Sequence, residues 1–138
     1  MRILSLDVGS KTIGVAVSDA LKITAQGLTT IYWDENDMSS ADKALSDIIE
    51  QHEVSEIVVG LPKHMNGSLG ERGEISQIYA RRLERIFNLP VHLLDERLTT
   101  VAAERVLLEG DVSRKKRSEI IDKMAAVIIL QNYLEQQP

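Results

Sequence analysis

The sequence predicts an α/β fold in which a mixed β-sheet is flanked by helices. Two observations indicate this class. The first 32 residues contain three extended apolar segments separated by short turns, and from residue 39 onward helical patterns alternate with buried-strand patterns. The chain has 138 residues, of which 43% are hydrophobic and 27% are charged, as is ordinary for one domain. We therefore expect a single α/β domain over residues 1–138.

The opening segments predict an antiparallel meander. Residues 3–7 and 13–18 are apolar runs joined by a Gly-Ser turn, which predicts a hairpin. In the second run Gly14, Ala16 and Ser18 share one face, because side chains alternate along a strand, and this face leaves room for a close neighbour. A third extended segment over residues 23–32 completes the meander.

The remaining elements follow in order. Apolar residues recur at helical spacing over residues 41–49, which predicts a helix with a serine N-cap. Residues 56–61 predict a buried strand, residues 75–87 a second helix and residues 91–94 a further strand. We then expect a third helix capped by Thr99 or Thr100 and ended by Gly110, a basic loop over residues 114–117, and a last helix over residues 118–134.

The composition excludes several classes of protein. The chain has no cysteine, which removes thiol nucleophiles and Cys-ligated metal sites and agrees with a cytoplasmic protein. Its longest run free of polar residues and glycine has seven residues, far below the roughly 20 that span a bilayer, so we expect no membrane association. The net charge of −5 argues against a strongly basic nucleic-acid coat protein. Even so, residues 81–138 carry 10 basic and 9 acidic side chains, so basic charge lies late in the chain.

Acidic residues at three places could meet at one edge of the sheet. Asp7 ends a central strand, Asp95 and Glu96 follow the last strand, and Asp122 lies near the start of the last helix. The carboxyl ends of strands in an open sheet share an edge that holds ligands. Clustered carboxylates repel one another unless they are protonated or neutralised, and oxygen ligands suit Mg²⁺ or Mn²⁺. Each acid also has a local alternative: turn bonding for Asp7, a charged loop for Asp95 and Glu96, and the helix dipole for Asp122.

The last helix has a feature that would let it approach the sheet. Ala125 and Ala126 lie one turn after Asp122 and could pack against the face that Gly14, Ala16 and Ser18 share. Such packing would bring the acids together.

Four motifs, in order along the chain, resemble the YqgF/RuvX family of bacterial ribonuclease H-like proteins. The motifs are Asp7-Val8-Gly9-Ser10-Lys11-Thr12-Ile13-Gly14-Val15-Ala16-Val17-Ser18-Asp19, Gly60-Leu61-Pro62 with Asn66-Gly67-Ser68, Asp95-Glu96-Arg97-Leu98-Thr99-Thr100, and Asp122 with Ala125-Ala126. The resemblance extends from Met1 to about residue 134. Processing of pre-16S rRNA and, in earlier descriptions, resolution of Holliday junctions have been ascribed to this family.

The resemblance implies a five-stranded mixed sheet of strand order 3-2-1-4-5. It also implies that Asp7, Glu96 and Asp122 hold two metal ions, Mg²⁺ or Mn²⁺, that hydrolyse a phosphodiester bond to a 5′-phosphate and a 3′-hydroxyl. In the wider superfamily the second acid commonly ends the fourth strand, where this chain has residues 60–63 and no acid. Glu96 would then have to reach inward across roughly 9 to 10 Å, two strand spacings. Asp95 could share or replace it as the metal ligand.

A nucleic-acid substrate would give the basic residues a use. Those near the acids could position phosphates without reading sequence: Lys11, Arg97, Arg114, Lys115, Lys116 and Arg117. Residues 66–68 could touch the backbone as well. The aromatic residues form no cluster in the sequence, so base stacking is not expected, and the three histidines receive no role. The partners implied are pre-rRNA or branched DNA and ribosomal particles, with the chain a monomer or a homodimer.

Three other functions are alternatives to pre-rRNA cleavage. Holliday junction resolution would use the same chemistry on another substrate, and a noncatalytic nucleic-acid-binding module would keep the fold without turnover. Residues 7–10 also resemble the phosphate-binding hairpin of actin-like ATPases and sugar kinases. Those enzymes bind ATP between two related domains, and this chain is long enough for one.

Overall fold

A computed structural model describes residues 1–98 and 114–137, with the backbone alone for residue 98 and residues 114–119. Its strands are β1 (Arg2–Val8), β2 (Thr12–Ser18), β3 (Ala25–Tyr32), β4 (Val54–Leu61) and β5 (Val91–Asp95). Its helices are α1 (Asp42–Gln51), α2 (Glu71–Phe87) and α3 (Arg114–Gln136). Short 3₁₀ turns at Met38–Ala41 and Glu96–Leu98 follow β3 and β5 respectively. The helix predicted from Thr99 or Thr100 to Gly110 lies outside the described residues.

The five strands form one mixed sheet of order β3-β2-β1-β4-β5. β1 and β2 pair antiparallel, as do β2 and β3, so the predicted meander is confirmed. β4 pairs parallel with β1, and β5 pairs parallel with β4. The predicted strand order and directions are therefore confirmed. The central strand β1 is buried from Ile3 onward, since it has a neighbour on each side and helices on both faces.

Helices cover the two faces of the sheet differently. The helix-pair face, covered by α1 and α2, buries large side chains such as Leu4, Leu6 and Val15 against Leu45 of α1 and Leu83 of α2. The opposite surface, here called the α3 face, packs against α3 among the described helices and has small residues at its centre. Its apolar cluster includes the following residues: Ile3, Ala16, Val58, Ala125, Ala126, Ile129 and Leu130. The predicted division of β2 into a packed face and a small-residue face is confirmed.

Several element boundaries differ from the predictions. The prediction of a serine N-cap for the first helix is wrong. A 3₁₀ turn precedes α1, and Asp37 caps this turn by accepting a hydrogen bond from the Ser39 amide at 3.2 Å. The serine hydroxyls have other partners, because Ser39 Oγ bonds Asp37 and Ser40 Oγ accepts from the Asp34 amide. β3 begins at Ala25, since the Asp19 carboxylate holds the amides of residues 23 and 24 in a turn.

The basic loop predicted over residues 114–117 is also wrong. These residues form the first turn of α3, which begins at Arg114. Arg and Lys are good helix formers, and a run of charge indicates solvation rather than an irregular backbone. Asp122 therefore lies in the third turn of α3. The field of the helix N-terminus falls off within the first turn, so the helix dipole does not account for that carboxylate.

None of the helices in the described parts of the chain is long and apolar enough to cross a membrane.

Candidate active site

Asp7 lies near the end of the central strand on the α3 face. Strand alternation places Asp7 on the same face as Ser5, whose hydroxyl donates to the Ala126 carbonyl of α3 at 2.6 Å. The Asp7 residue is only 5% exposed. Its partner in β2 is Gly14. In β4, Val59 pairs with Leu6, so Gly60 comes next to Asp7 in the parallel register. Asp7 thus has a glycine on each side.

Helix α3 lies directly on the first of these glycines. A Cβ atom built on Gly14 would overlap the backbone carbonyl of Asp122, so only a residue without a side chain allows this approach. The predicted close packing of α3 on the small-residue face is confirmed. The Asp122 carboxylate is half-buried and accepts a hydrogen bond from the hydroxyl of Thr12, which lies on the same face of β2 and is buried. Sequence reasoning did not single out Thr12, although strand alternation places it on the face of Gly14.

The second glycine lies beneath Glu96. Glu96 begins the 3₁₀ turn after β5, and its carboxyl carbon lies 3.4 Å from the position that a Cβ atom on Gly60 would take. The side chain of Ile129 fills the rest of that space, at 2.5 Å. Glu96 therefore reaches inward from β5 over the end of β4, the strand next to Asp7. The missing side chain at Gly60 provides the room, at a strand end where the wider superfamily commonly has an acid.

Asp95 has a different environment. Its neighbour Leu94 is buried in the α3-face cluster, so alternation directs Asp95 to the other side of the sheet. The Asp95 carboxylate accepts from Arg97 Nη2 at 2.7 Å, from Arg97 Nε at 3.1 Å and from the Arg97 amide at 2.9 Å. Lys63 Nζ lies 3.8 Å away. The hydrogen bonds from Arg97, with the charge of Lys63, hold the pKa of Asp95 below its usual range.

Arg97 ties the loop before α2 to the end of β5. Besides its bonds to Asp95, its guanidinium donates through Nη1 to the Met65 carbonyl at 3.2 Å. It also lies next to Gly67, with Nη1 3.4 Å from the position of a Cβ atom there. The bonds between Asp95 and Arg97 join the residues on either side of Glu96, so they limit the conformations of the turn that carries Glu96. Phosphate binding by Arg97 stays a prediction.

The other predicted contacts to nucleic acid are placed as follows. Lys11 is exposed in the turn between β1 and β2, at the edge where Asp7 lies. The Asn66 side chain accepts from the Ser68 amide at 2.9 Å, as in an Asx-type turn. The side chains of Arg114, Lys115, Lys116 and Arg117 lie outside what the structure describes, so phosphate binding by this run stays a prediction.

Three carboxylates therefore share one edge and one face of the sheet. Their oxygen donors are of the kind that Mg²⁺ and Mn²⁺ prefer, and the two glycines form the cradle that admits Glu96 and Asp122 beside Asp7. The residues fit such ions in the kind of donor atom that they offer. Within residues 1–98 and 114–137, however, no three acidic or histidine side chains are already arranged to hold a metal ion. The Asp122 carboxylate is instead engaged with Thr12.

Comparison with known proteins adds a family and a fold. The family model described as "RuvX: Holliday junction resolvase" matches residues 1–136. A protein of Oceanobacillus iheyensis is 66% identical over 99% of this chain and 100% of its own length. One of Geobacillus sp. (strain WCH70) is 59% identical over 98% of each chain. Both relatives carry the name "Putative pre-16S rRNA nuclease".

Two solved structures have a similar fold. RuvC of Thermus thermophilus, in complex with a Holliday junction substrate, superposes with a TM-score of 0.58 at 11% identity, over 99% of this chain and 97% of that one. The fowlpox virus Holliday junction resolvase superposes with a TM-score of 0.56 at 17% identity, over 98% of each chain. At such identities the likeness shows the fold alone, and it confirms the ribonuclease H-like architecture expected from the sequence.

Proposed function

The chain belongs to the RuvX family, and from this membership we propose that it is a metal-dependent nuclease that matures the 5′ end of pre-16S rRNA. Family membership makes it a hydrolase of phosphodiester bonds. The metal dependence, the RNA substrate and the site residues are the proposal. It assigns Asp7, Glu96 and Asp122 as the metal-binding carboxylates, and it places the protein in the cytoplasm, acting on ribosomal particles.

One observation carries the site assignment. The two positions that flank Asp7 on the α3 face are both glycines, and the backbone of Asp122 lies over one while the carboxyl group of Glu96 lies over the other. A buried carboxylate loses hydration, and further carboxylates beside it raise the cost of ionisation. A divalent cation would offset both costs, which makes the cluster a reasonable metal site.

The proposal prefers Glu96 to Asp95 as the second ligand. Asp95 faces away from the α3 face and is neutralised by Arg97 and Lys63. Glu96 faces the strand beside Asp7 and has the longer side chain. In this arrangement Asp95 and Arg97 position the turn from which Glu96 reaches inward, and they bind no metal themselves.

The chain would divide the chemistry among its residues. Bound ions supply an activated water and stabilise the charge that develops on the leaving 3′ oxygen. Asp7 fixes the centre of the site on the rigid strand β1, and Thr12 orients the Asp122 carboxylate by its hydrogen bond. Lys11, exposed at the same edge, holds a substrate phosphate. Arg114, Lys115, Lys116 and Arg117 add attraction that does not depend on sequence.

Cleavage of a labelled pre-16S rRNA fragment tests this function. Purified protein should cut the fragment in the presence of Mg²⁺ or Mn²⁺, and cleavage should stop when EDTA is added. Asp7→Asn should lower the cleavage rate by about 1,000-fold or more, because several kcal/mol of charge stabilisation depend on the metal. Asp47→Asn, on an exposed part of α1, is the matched control and should cleave normally. Circular dichroism and thermal unfolding show whether each variant is folded.

Two results would contradict the proposal. Cleavage that survives EDTA would exclude the metal, and cleavage that survives Asp7→Asn in a folded protein would exclude the site. A protein that binds the fragment and never cuts it, and whose Asp7→Asn variant still functions in cells, would be a noncatalytic binding module instead.

Holliday junction resolution is the second candidate function, because the family model that matches this chain carries that description. The chemistry and the carboxylates would be the same. A four-way DNA junction should therefore be assayed beside the rRNA fragment in the same preparation. Cleavage of the junction alone, by a dimer in solution, would replace the RNA substrate and leave the metal site intact.

A further inference from the structure

A cavity between β3 and α3 lies beside the candidate active site. Its volume is about 320 Å³, at the lower end of the range for ligand pockets. The residues that line it come from the outer strand of the sheet and from the first half of α3: Leu28, Thr29, Thr30, Tyr32, Ile120 and Lys123. None of these residues belongs to the proposed metal site.

The cavity opens on the same face of the sheet as the carboxylates, on the other side of the point where α3 lies on Gly14. Thr30 pairs with Gly14, and Gly14 pairs with Asp7. Paired residues of neighbouring strands point to the same face, so Thr30 lies two strands from Asp7, or roughly 9 to 10 Å away. On the helix side, Lys123 directly follows Asp122. A nucleic-acid strand whose phosphate lies at Asp7 would therefore meet this cavity with a neighbouring nucleotide.

Two side chains give the cavity its chemical character. Tyr32 is 56% exposed at the end of β3, which is unusual for a large aromatic residue of this chain, since Trp33 and Tyr79 are buried. Lys123 is also exposed, and its aliphatic carbons cross β3 over Gly27, with Cγ 3.0 Å from the position of a Cβ atom there. Across the described residues, no carboxylate forms an ion pair with Lys123.

We propose that this cavity binds one unpaired nucleotide next to the scissile phosphate, with its base stacked on Tyr32 and a phosphate at Lys123. Proteins that bind single strands combine aromatic rings for the bases with cations for the backbone, and threonine hydroxyls also contact phosphate and sugar. The proposal rests on the proposed function, because that function supplies the strand. It differs from the expectation from the sequence, which found no aromatic cluster, because Tyr32 and Lys123 come to line one cavity only in the folded chain.

Binding of a fluorescein-labelled single-stranded RNA oligonucleotide, measured by anisotropy in EDTA, tests the cavity without any cleavage. Tyr32→Ala should weaken binding by about 5-fold or more, the effect of losing one stacked base. Tyr32→Phe keeps the ring and should bind like the wild type. An oligonucleotide with 2-aminopurine should lose fluorescence on binding to the wild type and to Tyr32→Phe, and keep it with Tyr32→Ala.

Salt dependence tests the cation. A plot of log affinity against log salt concentration has a negative slope. Lys123→Gln should make this slope shallower by about 0.7, as expected for one lost phosphate contact on a single strand. Lys43→Gln is the matched control, since Lys43 is 90% exposed on α1, against the opposite face of the sheet, and it should leave the slope unchanged.

Each contrary result overturns the inference. These results are no binding by the wild type, equal affinity of Tyr32→Ala and wild type, equal loss in Tyr32→Phe and Tyr32→Ala, or equal slopes for Lys123→Gln and wild type. A failure of the nuclease proposal can be distinguished from a failure of this inference. In that case the wild type would bind the RNA, the Tyr32 and Lys123 variants would show the predicted affinities and salt slopes, and no cleavage would occur with Mg²⁺ or Mn²⁺. If the wild type cleaves the RNA but binds it no more tightly than Tyr32→Ala does, the nucleotide-binding proposal for the cavity is rejected and the nuclease proposal stands.

Discussion

The two faces of the sheet are built from different side chains. On the helix-pair face, β1 and β2 bury Leu, Ile and Val against α1 and α2, and Trp33 packs on Tyr79 with ring centroids 4.8 Å apart. On the α3 face the same strands bury Ser5, Asp7 and Thr12. A fully buried large apolar side chain contributes about 1.5 to 3 kcal/mol. On the helix-pair face β1 and β2 therefore bury larger apolar side chains, whereas on the α3 face they present small and polar residues to a closely packed helix.

The α3 face also differs from one end to the other. At the end away from Asp7, the Glu56 carboxylate accepts from the Tyr133 hydroxyl at 3.1 Å and lies 3.1 Å from His92 Nε2 and 3.6 Å from Lys22 Nζ. Burial, and then the bond to Glu56, raise the pKa of Tyr133 to about 12. This end anchors α3 through a carboxylate that the protein itself neutralises. The end with Asp122 carries the acids for which we propose metal.

The largest expected effect separates stability from catalysis across the two faces. Gly14→Ala would force α3 away from β2, because the new methyl group overlaps the Asp122 carbonyl. A displacement on the order of 1 Å at a catalytic group can lower turnover by about 100-fold. Leu83→Ala, in the helix-pair face, should instead cost about 2 to 5 kcal/mol of unfolding free energy and keep the rate per folded molecule.

Urea unfolding and single-turnover cleavage of the pre-rRNA fragment, at a temperature where both variants are folded, give the two quantities. The proposed division of roles between the two faces would be wrong if Leu83→Ala lowered turnover as much as Gly14→Ala does. This division of roles would also be wrong if a folded Gly14→Ala variant cleaved at the wild-type rate.

Local patterns in the sequence predicted a large part of this architecture. Alternation in β2 separated Ile13 and Val15 from Gly14 and Ala16, and both faces have the predicted character, because strand periodicity is a property of neighbouring residues. Strand order and the inward reach of Glu96 came from the family resemblance rather than from periodicity. A parallel pairing such as β1 with β4 joins residues about 50 positions apart, which no local pattern reports.

The errors have the same physical origin. The cap at Asp37 depended on where two serine hydroxyls and one carboxylate lie in space. The sequence also did not indicate the partners of Arg97, whose guanidinium donates to Asp95 and to the Met65 carbonyl, while phosphate binding by Arg97 stays a prediction. Charge and propensity in the sequence indicate what a side chain can do, and only the tertiary contacts determine which partner it has.

A smaller effect is expected from two arginines, one beside the turn that carries Glu96 and one that joins α1 and α2 on the helix-pair face. Arg97→Ala should release the turn that carries Glu96 and raise the Mn²⁺ concentration needed for half-maximal cleavage by about 10-fold, as is typical for groups that orient metal ligands. Arg82→Ala removes a comparable ion pair with Asp42 on α1 and should leave the Mn²⁺ requirement unchanged. Mn²⁺ titration of the cleavage rate measures both.

Arg97→Lys keeps the charge but cannot reproduce the bonds to both Asp95 oxygens and the Met65 carbonyl, so it should fall between the wild type and Arg97→Ala. Equal Mn²⁺ requirements in wild type and Arg97→Ala would show that the clamp does not position Glu96. A loss in Arg97→Ala alone, with Arg82→Ala normal, would sharpen the contrast between the edge that carries the acids and the helix-pair face.

The smallest effect concerns the Asp95 carboxylate and acid stability. Its pKa lies below the ordinary 3.8 in the folded protein, so it binds fewer protons folded than unfolded, and its contribution is fully present above about pH 4. That contribution is lost as the pH falls through the folded pKa. The free energy of unfolding should therefore differ between wild type and Asp95→Asn by under about 1 kcal/mol from pH 5 to 8, and the difference should vanish at lower pH. Asp47→Asn, which removes an exposed pair with Lys43, is the control and should show a smaller difference. A difference that persists at the lowest pH would mean that Asp95 stabilises the turn through packing, and the clamp on Glu96 would then not depend on its charge.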